Sequence, residues 1–233
     1  RVIVTDKIYE RWLHELSHRC SKANIGYGFQ EKTFMGPLIS ENLRSRNRKY
    51  ANAVESKGHR VVLKGTIPKI KDRKGFYVSP SIFAVDTNSE NLFLNEEPPG
   101  PILLVYRVKD EAAAIALHNR SVYRLSTSVF TKKKGNKLHK FVDQLQTGSL
   151  NVNRATIGSA VRLAQMGLGR SGGGIAGGLD LVRALTHPRA NLHETRQFDS
   201  TMAVPGSNWR ETDLTHDALD TDTLDPTVFR SKP

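Results

Sequence analysis

Two adjacent carboxylates, Glu96 and Glu97, stand directly before Pro98-Pro99-Gly100-Pro101 in the 233-residue chain and are of more chemical interest than its serines. Proline fixes its own φ, so a carboxylate beside it can be held in place by the backbone. The residues leave two readings open: solvated side chains on a turn, or one carboxylate positioned for a ligand. A second run, Gly167-x-Gly169-x-x-Gly172 followed by Glu194, has the form of a dinucleotide fingerprint. That chemistry needs a buried strand before the turn and a helix straight after it, so that backbone N–H groups face a pyrophosphate. The preceding AVRLAQM (160–166) is no such strand, and the segment is read as a flexible glycine loop. The single cysteine, Cys20, falls on an apolar helical stripe with no base nearby and is read as a core residue. Ser126, Ser128 and Ser171 lack a Gly-x-Ser-x-Gly elbow, which gives serine hydrolysis no support. The eight histidines are read as holding no His-x-x-x-His pair and no Cys/His cluster, and no metal site is expected.

The elements that must position these residues alternate strand and helix. Arg-Val-Ile-Val at the start is read as a strand that begins inside a domain. Asp6 is expected to cap a helix whose apolar stripe is Ile8, Trp12, Leu13, Leu16 and Cys20. Ser40 caps a very basic helix carrying Leu43, Tyr50 and Val54, stopped at Gly58. Val61–Leu63 is a strand, and Ser81–Val85 follows Pro80 as an edge or loop-entry strand. Ile102–Tyr106 is an unbroken apolar run, as expected of a strand covered on both faces. Asp110 caps an Ala-rich helix to about His118, Ser126–Thr131 and Gly148–Asn153 are strands, and Leu138, Phe141, Val142 and Leu145 mark a helix between them. This alternation predicts an α/β domain with a mainly parallel sheet.

Composition narrows the classes further. A hydrophobic fraction of 38% supports a real core, and no apolar run approaches the roughly 20 residues of a membrane-spanning helix. One cysteine excludes an internal disulfide framework and suits a reducing, cytoplasmic setting. Residues 1–210 carry 33 Lys or Arg and 17 acidic side chains, a net +16, whereas Glu211 to Asp225 holds six carboxylates and no Lys or Arg. The basic body would attract polyanions, but aromatics are not interleaved with the charges, so nucleic acid is not the expected partner. Residues 199–233 are read as an acidic flexible tail.

Five collinear motifs resemble the aldehyde dehydrogenase superfamily. Gly36-Pro-Leu-Ile-Ser40 is similar to the segment that follows the family's nucleophile region, and Glu96-Glu-Pro-Pro-Gly-Pro101 to its Glu-Glu-x-Phe-Gly-Pro motif. Ala114 to Asn119 with Tyr123-Arg-Leu125 and Ser128-Val-Phe-Thr131, Gly148-x-x-x-Val-Asn153, and Gly167-Leu-Gly-Arg-Ser-Gly172 follow in the family's order. Asn151-x-Asn-Arg154 with Gly158-Ser-Ala160 is similar to succinylglutamate-semialdehyde dehydrogenases in particular.

The resemblance implies an incomplete catalytic domain over residues 1–186, with its closing loop. Residues 187–198 would be a strand that pairs subunits into a homo-oligomer. It implies NAD- or NADP-dependent oxidation of an aldehyde or semialdehyde through a cysteine thioester. The nucleophile is expected before Arg1, so that no catalytic residue lies in the chain, which would be inactive alone. Glu97 would bind the nicotinamide ribose, Ile157, Gly158, Ser159 and Ala160 would border the aldehyde pocket, and Gly167 would belong to the loop that closes it. Four positions depart from the family: Pro99 stands where its Phe packs on the nicotinamide, Arg124 where it has Gly, and Gln165-Met166 where it has Phe-Gly. These departures keep open a catalytically dead scaffold that pairs with intact subunits.

Overall fold

The computed structural model describes residues 1–71, 73–89, 93–158, 162–173 and 177–193. The opening strand β1 (Val2–Thr5) runs through a short 3-10 helix, Asp6–Ile8, into α1 (Tyr9–Ser21). The expected Asp6 cap is not formed, because the Asp6 carboxylate takes a distant partner, Arg107, at 2.8 Å. Tyr9 and Leu13 are the buried residues of α1, with Trp12, Leu16 and Cys20 partly buried beside them, whereas Ile8 is 54% exposed.

Ser40 caps α2 (Glu41–Ser56) by accepting from the Leu43 N–H at 3.2 Å, and Gly58, at φ +81°, ends the turn beyond it. Then come β2 (Arg60–Leu63), β3 (Ser81–Val85) and β4 (Ile102–Val108). These strands and β1 form one sheet in the order β1-β4-β3-β2. The pairs β1–β4 and β3–β4 are parallel, and β2 lies antiparallel on β3. Ser81–Val85 is therefore an interior strand, not an edge. Pro80 precedes it and so costs the ladder no donor.

The sheet is covered on both faces. On one side Ile82, Val105 and Val4 pack against Tyr9 and Leu13 of α1. On the other, Phe83, Val85, Ile102, Leu104, Tyr106 and Val108 pack against Val54 of α2 and Leu117 of α3 (Glu111–Asn119). The two-residue alternation of strands thus divides the apolar run of β4 between two cores. Each fully buried side chain of Leu or Val size contributes about 1.5–3 kcal/mol of burial. Asp110 caps α3 through the Ala113 N–H at 2.8 Å, as its residue type predicts.

Beyond α3 come β5 (Tyr123–Arg124), β6 (Ser126–Val129), α4 (Gly135–Val142), β7 (Ser149–Val152), β8 (Leu168–Gly169) and α5 (Leu179–Leu185). β6 and β7 pair in parallel, and β5 and β8 antiparallel. The chain divides after Thr186. Residues 187–193, the described part of the expected subunit-pairing strand, have no regular secondary structure. Residues 194–198 and the 199–233 tail lie outside the described residues. Among the described residues no helix is long and apolar enough to cross a membrane.

Candidate cofactor site

Two side chains and two backbone bonds clamp the turn that carries Glu97. The Arg1 guanidinium donates to the Phe93 carbonyl at 3.1 Å and also to the Glu96 carbonyl. From α2, the Asn47 amide donates to the Pro99 carbonyl at 2.7 Å. The Ser81 N–H binds the Pro101 carbonyl and the Ile102 N–H the Gly100 carbonyl, both at 2.9 Å, which ties the turn to β3 and β4. Gly100 sits at φ +79°, and a Cβ there would come within 3.1 Å of Leu38 and 3.2 Å of Asn47. Phe93 is also left-handed, at φ 52°, and its ring is wedged edge-on between Tyr50 and His59 at 5.6 and 5.7 Å.

The result is a rigid backbone with an exposed acid. Glu97 projects from the clamped turn into solvent, and Pro99 is half-buried. An ionised carboxylate is an acceptor only, suited to two hydroxyl donors such as a ribose diol. Pro99 offers no aromatic face to a bound ring. Below the turn two phenols are kept neutral. Burial pushes the Tyr106 hydroxyl up to about 12, against a smaller opposing pull from Arg1. Burial, reinforced by Glu96, also pushes Tyr50 up, and its hydroxyl is buried without a hydrogen-bond partner among the described residues.

The residues expected around the aldehyde lie elsewhere, at opposite ends of β7. Past its far end Asn153, at φ 54°, accepts from the Thr131 N–H at 2.8 Å and donates to the Thr131 carbonyl at 2.9 Å. This crimps β7 to the end of β6. Ser128 donates to the Arg154 carbonyl, and Arg154 reaches the Gly158 carbonyl at 3.5 Å. Ile157 is 86% exposed on the following turn, where Gly158 sits at φ +77° with open space around it. Ser159 and Ala160 lie outside the described residues.

At the near end of β7 residues 166–172 close into a compact turn, which in this part corrects the expectation of a flexible loop. A Cβ on Gly148 would fall 1.7 Å from the Met166 carbonyl oxygen, and one on Gly167 2.0 Å from that of Ser171. The Arg170 N–H binds the Val122 carbonyl at 2.8 Å, and the Ser171 hydroxyl accepts from the Arg124 N–H at 3.2 Å. The glycines are there because backbone passes against backbone. Gly167 thus joins Gly148 and Ser171, while Ile157 and Gly158 belong to the opposite end of the strand, and Glu97 to a different sheet.

Arg1, Asn47 and Arg124 carry no local sequence signal that marks them as positioning residues. The Arg124 guanidinium donates to the carbonyls of Asn119 at 2.7 Å and Ser121 at 2.9 Å, closing the C-terminal end of α3. His14 and His18, by contrast, stand four apart on α1, a His-x-x-x-His pair legible in the sequence, which corrects the expectation that the chain holds none. Among the described residues no group of three or more His, Cys, Asp or Glu is placed to hold a metal ion. Cys20 is partly buried, and burial raises its thiol pKa, so it is poorly suited to act as a nucleophile.

The mainly parallel α/β sheet, covered on both faces and joined to a clamped acidic turn, has the architecture of part of an aldehyde-dehydrogenase-like catalytic domain. Residues 1–190 match the aldehyde dehydrogenase family, and the chain belongs to it. It is 35% identical over 153 residues to betaine aldehyde dehydrogenase of Sinorhizobium fredii, an alignment covering 66% of this chain and 31% of that protein. It is 32% identical over 188 residues to betaine aldehyde dehydrogenase of Brucella ovis, covering 80% of this chain and 37% of that one. The crystal structure of betaine aldehyde dehydrogenase from Staphylococcus aureus in complex with NAD+ is similar at a TM-score of 0.72 and 28% identity, over 79% of this chain and 36% of that one. An aldehyde dehydrogenase from Bacillus cereus is similar at a TM-score of 0.69 and 26% identity, over 77% and 35%. The chain therefore spans about a third of the length of the relatives it matches.

Proposed function

We propose that the chain serves NAD(P)-dependent oxidation of an aldehyde or semialdehyde to the carboxylic acid, as the C-terminal part of a catalytic domain, and that the isolated 233-residue polypeptide is inactive. The observation that carries this reading is the exposed Glu97 on its clamped turn. Glu97 would accept hydrogen bonds from the nicotinamide ribose hydroxyls, and Pro99 would border the ring without stacking on it. The bound cofactor would supply the hydride acceptor. Cys20 takes no part, being packed against the sheet with its pKa raised. Ile157, Gly158, Ser159 and Ala160 would line the aldehyde entrance, and Gly167 the turn that closes it.

A carboxylate-bearing semialdehyde fits this chain better than a cationic aldehyde. Arg154 stands at the root of the Ile157–Gly158 turn, and the body is strongly basic. A quaternary ammonium group would instead call for aromatic faces, which Ile157 and Gly158 do not provide. Residues 187–198 would pair with a second copy, and a single cysteine suits a cytoplasmic setting.

The test is to titrate the purified chain with NAD+ and NADP+ by calorimetry and to follow NADH or NADPH formation with succinic semialdehyde and with betaine aldehyde. Weak cofactor binding that Glu97→Gln abolishes, without turnover of either aldehyde, is the expected result. Binding indifferent to Glu97→Gln removes the ribose assignment, and turnover that is lost in Cys20→Ala removes the account of the thiol. A catalytically dead scaffold is a second reading, favoured by Pro99 in place of the ring-packing Phe and by Arg124 in place of Gly. It predicts no cofactor binding at all.

A further inference from the structure

The geometry points to a divalent transition-metal site formed by His14 and His18 on the solvent face of α1. An α-helix turns once in 3.6 residues, so positions four apart stand one above the other. Leu13 and Tyr9 face the sheet, which leaves both histidines exposed. Their rings are stacked with centroids 6.4 Å apart and planes 2° from parallel. An imidazole nitrogen binds Zn2+ at about 2.0–2.1 Å, which brings two rings sharing one ion to roughly 5 Å between centroids. The two rings are thus roughly an ångström or two from chelation, a distance that side-chain rotation covers on an exposed helix face.

The neighbouring groups do not compete for the imidazoles. The Ser17 and Ser21 hydroxyls donate to the His14 and His18 carbonyls, each at 2.9 Å, and Glu15 is oriented towards Arg19, at 3.9 Å. His14-Glu-Leu-Ser-His18 also has the spacing of zinc peptidases, but that chemistry needs a third protein ligand. None completes the set among the described residues, and Glu15 is engaged by Arg19. The site is therefore a two-imidazole chelate whose remaining positions go to water. Imidazole donors and the Irving–Williams order favour Cu2+ over Ni2+ and Zn2+, and exclude Mg2+ and Ca2+ as ligand-matched ions. A bound ion bridges successive turns of α1 and raises the melting temperature of the chain by mass action.

The experiment titrates the 233-residue chain with Cu2+ alone, by calorimetry and electron paramagnetic resonance, with Mg2+ as comparison. One Cu2+ per chain, a spectrum showing two nitrogen ligands, and a Tm that rises with Cu2+ are expected. His14→Asn and His18→Asn should each weaken binding about tenfold or more, since the chelate is lost, while circular dichroism stays unchanged at these exposed positions. His139→Asn, an exposed histidine on α4, should leave binding intact. Affinity for Cu2+ that is equal in the parent and both α1 variants, binding weakened only by His139→Asn, or a lack of saturable Cu2+ binding would each overturn the site.

Discussion

Asn47 of α2 donates its side-chain amide to the Pro99 carbonyl, 52 positions along the chain, at 2.7 Å. With 6% of its surface exposed, it is a buried polar residue whose hydrogen bond holds the turn behind Glu97. Asn47→Ala should cost about 1–3 kcal/mol, because the Pro99 carbonyl loses its partner in a part-buried place. Urea unfolding of parent and variant measures it. A cost near zero would mean that the turn is held without α2.

Arg124→Gly installs the residue that the family resemblance implies at this position, yet it should destabilise this chain. The variant loses the bonds to the Asn119 and Ser121 carbonyls at the end of α3, and it adds backbone freedom to β5. About 2 kcal/mol is expected from the two effects. Equal or higher stability of the variant would show that the guanidinium bonds contribute nothing.

Two glycines near β7 should respond to alanine for different reasons. At Gly148 the added Cβ meets the Met166 carbonyl oxygen at 1.7 Å, so the 166–172 turn must move, at about 3 kcal/mol or more. At Gly158 the space is open and only the φ of +77° is penalised, at about 1–2 kcal/mol. Amide hydrogen exchange should speed up in residues 166–172 for Gly148→Ala alone.

Alkaline pH should unfold the chain through its buried phenols. The Tyr106 hydroxyl is raised from an ordinary 10.0 to about 12, chiefly by burial, so the unfolded chain releases that proton first. Its contribution is complete below pH 10 and is lost as pH rises through about 12, a matter of about 2 kcal/mol. Tyr50 is shifted in the same direction. Denaturant midpoints measured from pH 8 upward should fall less steeply in Tyr106→Phe. Identical slopes would remove Tyr106 as the cause.

Local chemistry made much of the fold legible. Ser40 and Asp110 announce their helices by residue type, and both make the expected cap bonds. Ile102–Tyr106 announces a strand covered on both faces because every position in it is apolar. Asp6 misleads for the opposite reason: the partner that draws it from capping, Arg107, is a hundred positions away. The interior place of β3 depends equally on pairings that its own residues do not encode. Glycine content alone could not separate a loose loop from the close backbone passage at Gly148 and Gly167. At the site, the Glu97 motif was visible as a string of residues. The clamp from Arg1 and Asn47, which makes its backbone rigid, exists only in three dimensions.

The pairing of β1 with β4 sets an order of assembly. Val2 lies beside Val105, whereas Ile82 finds Leu103 after a far shorter loop. Closing the longer loop costs more entropy before any contact rewards it. The sheet should therefore grow outward from β3 and β4. On the ribosome β1 would leave the tunnel well before β4 and be among the last strands to dock, waiting exposed until about a hundred further residues have followed it.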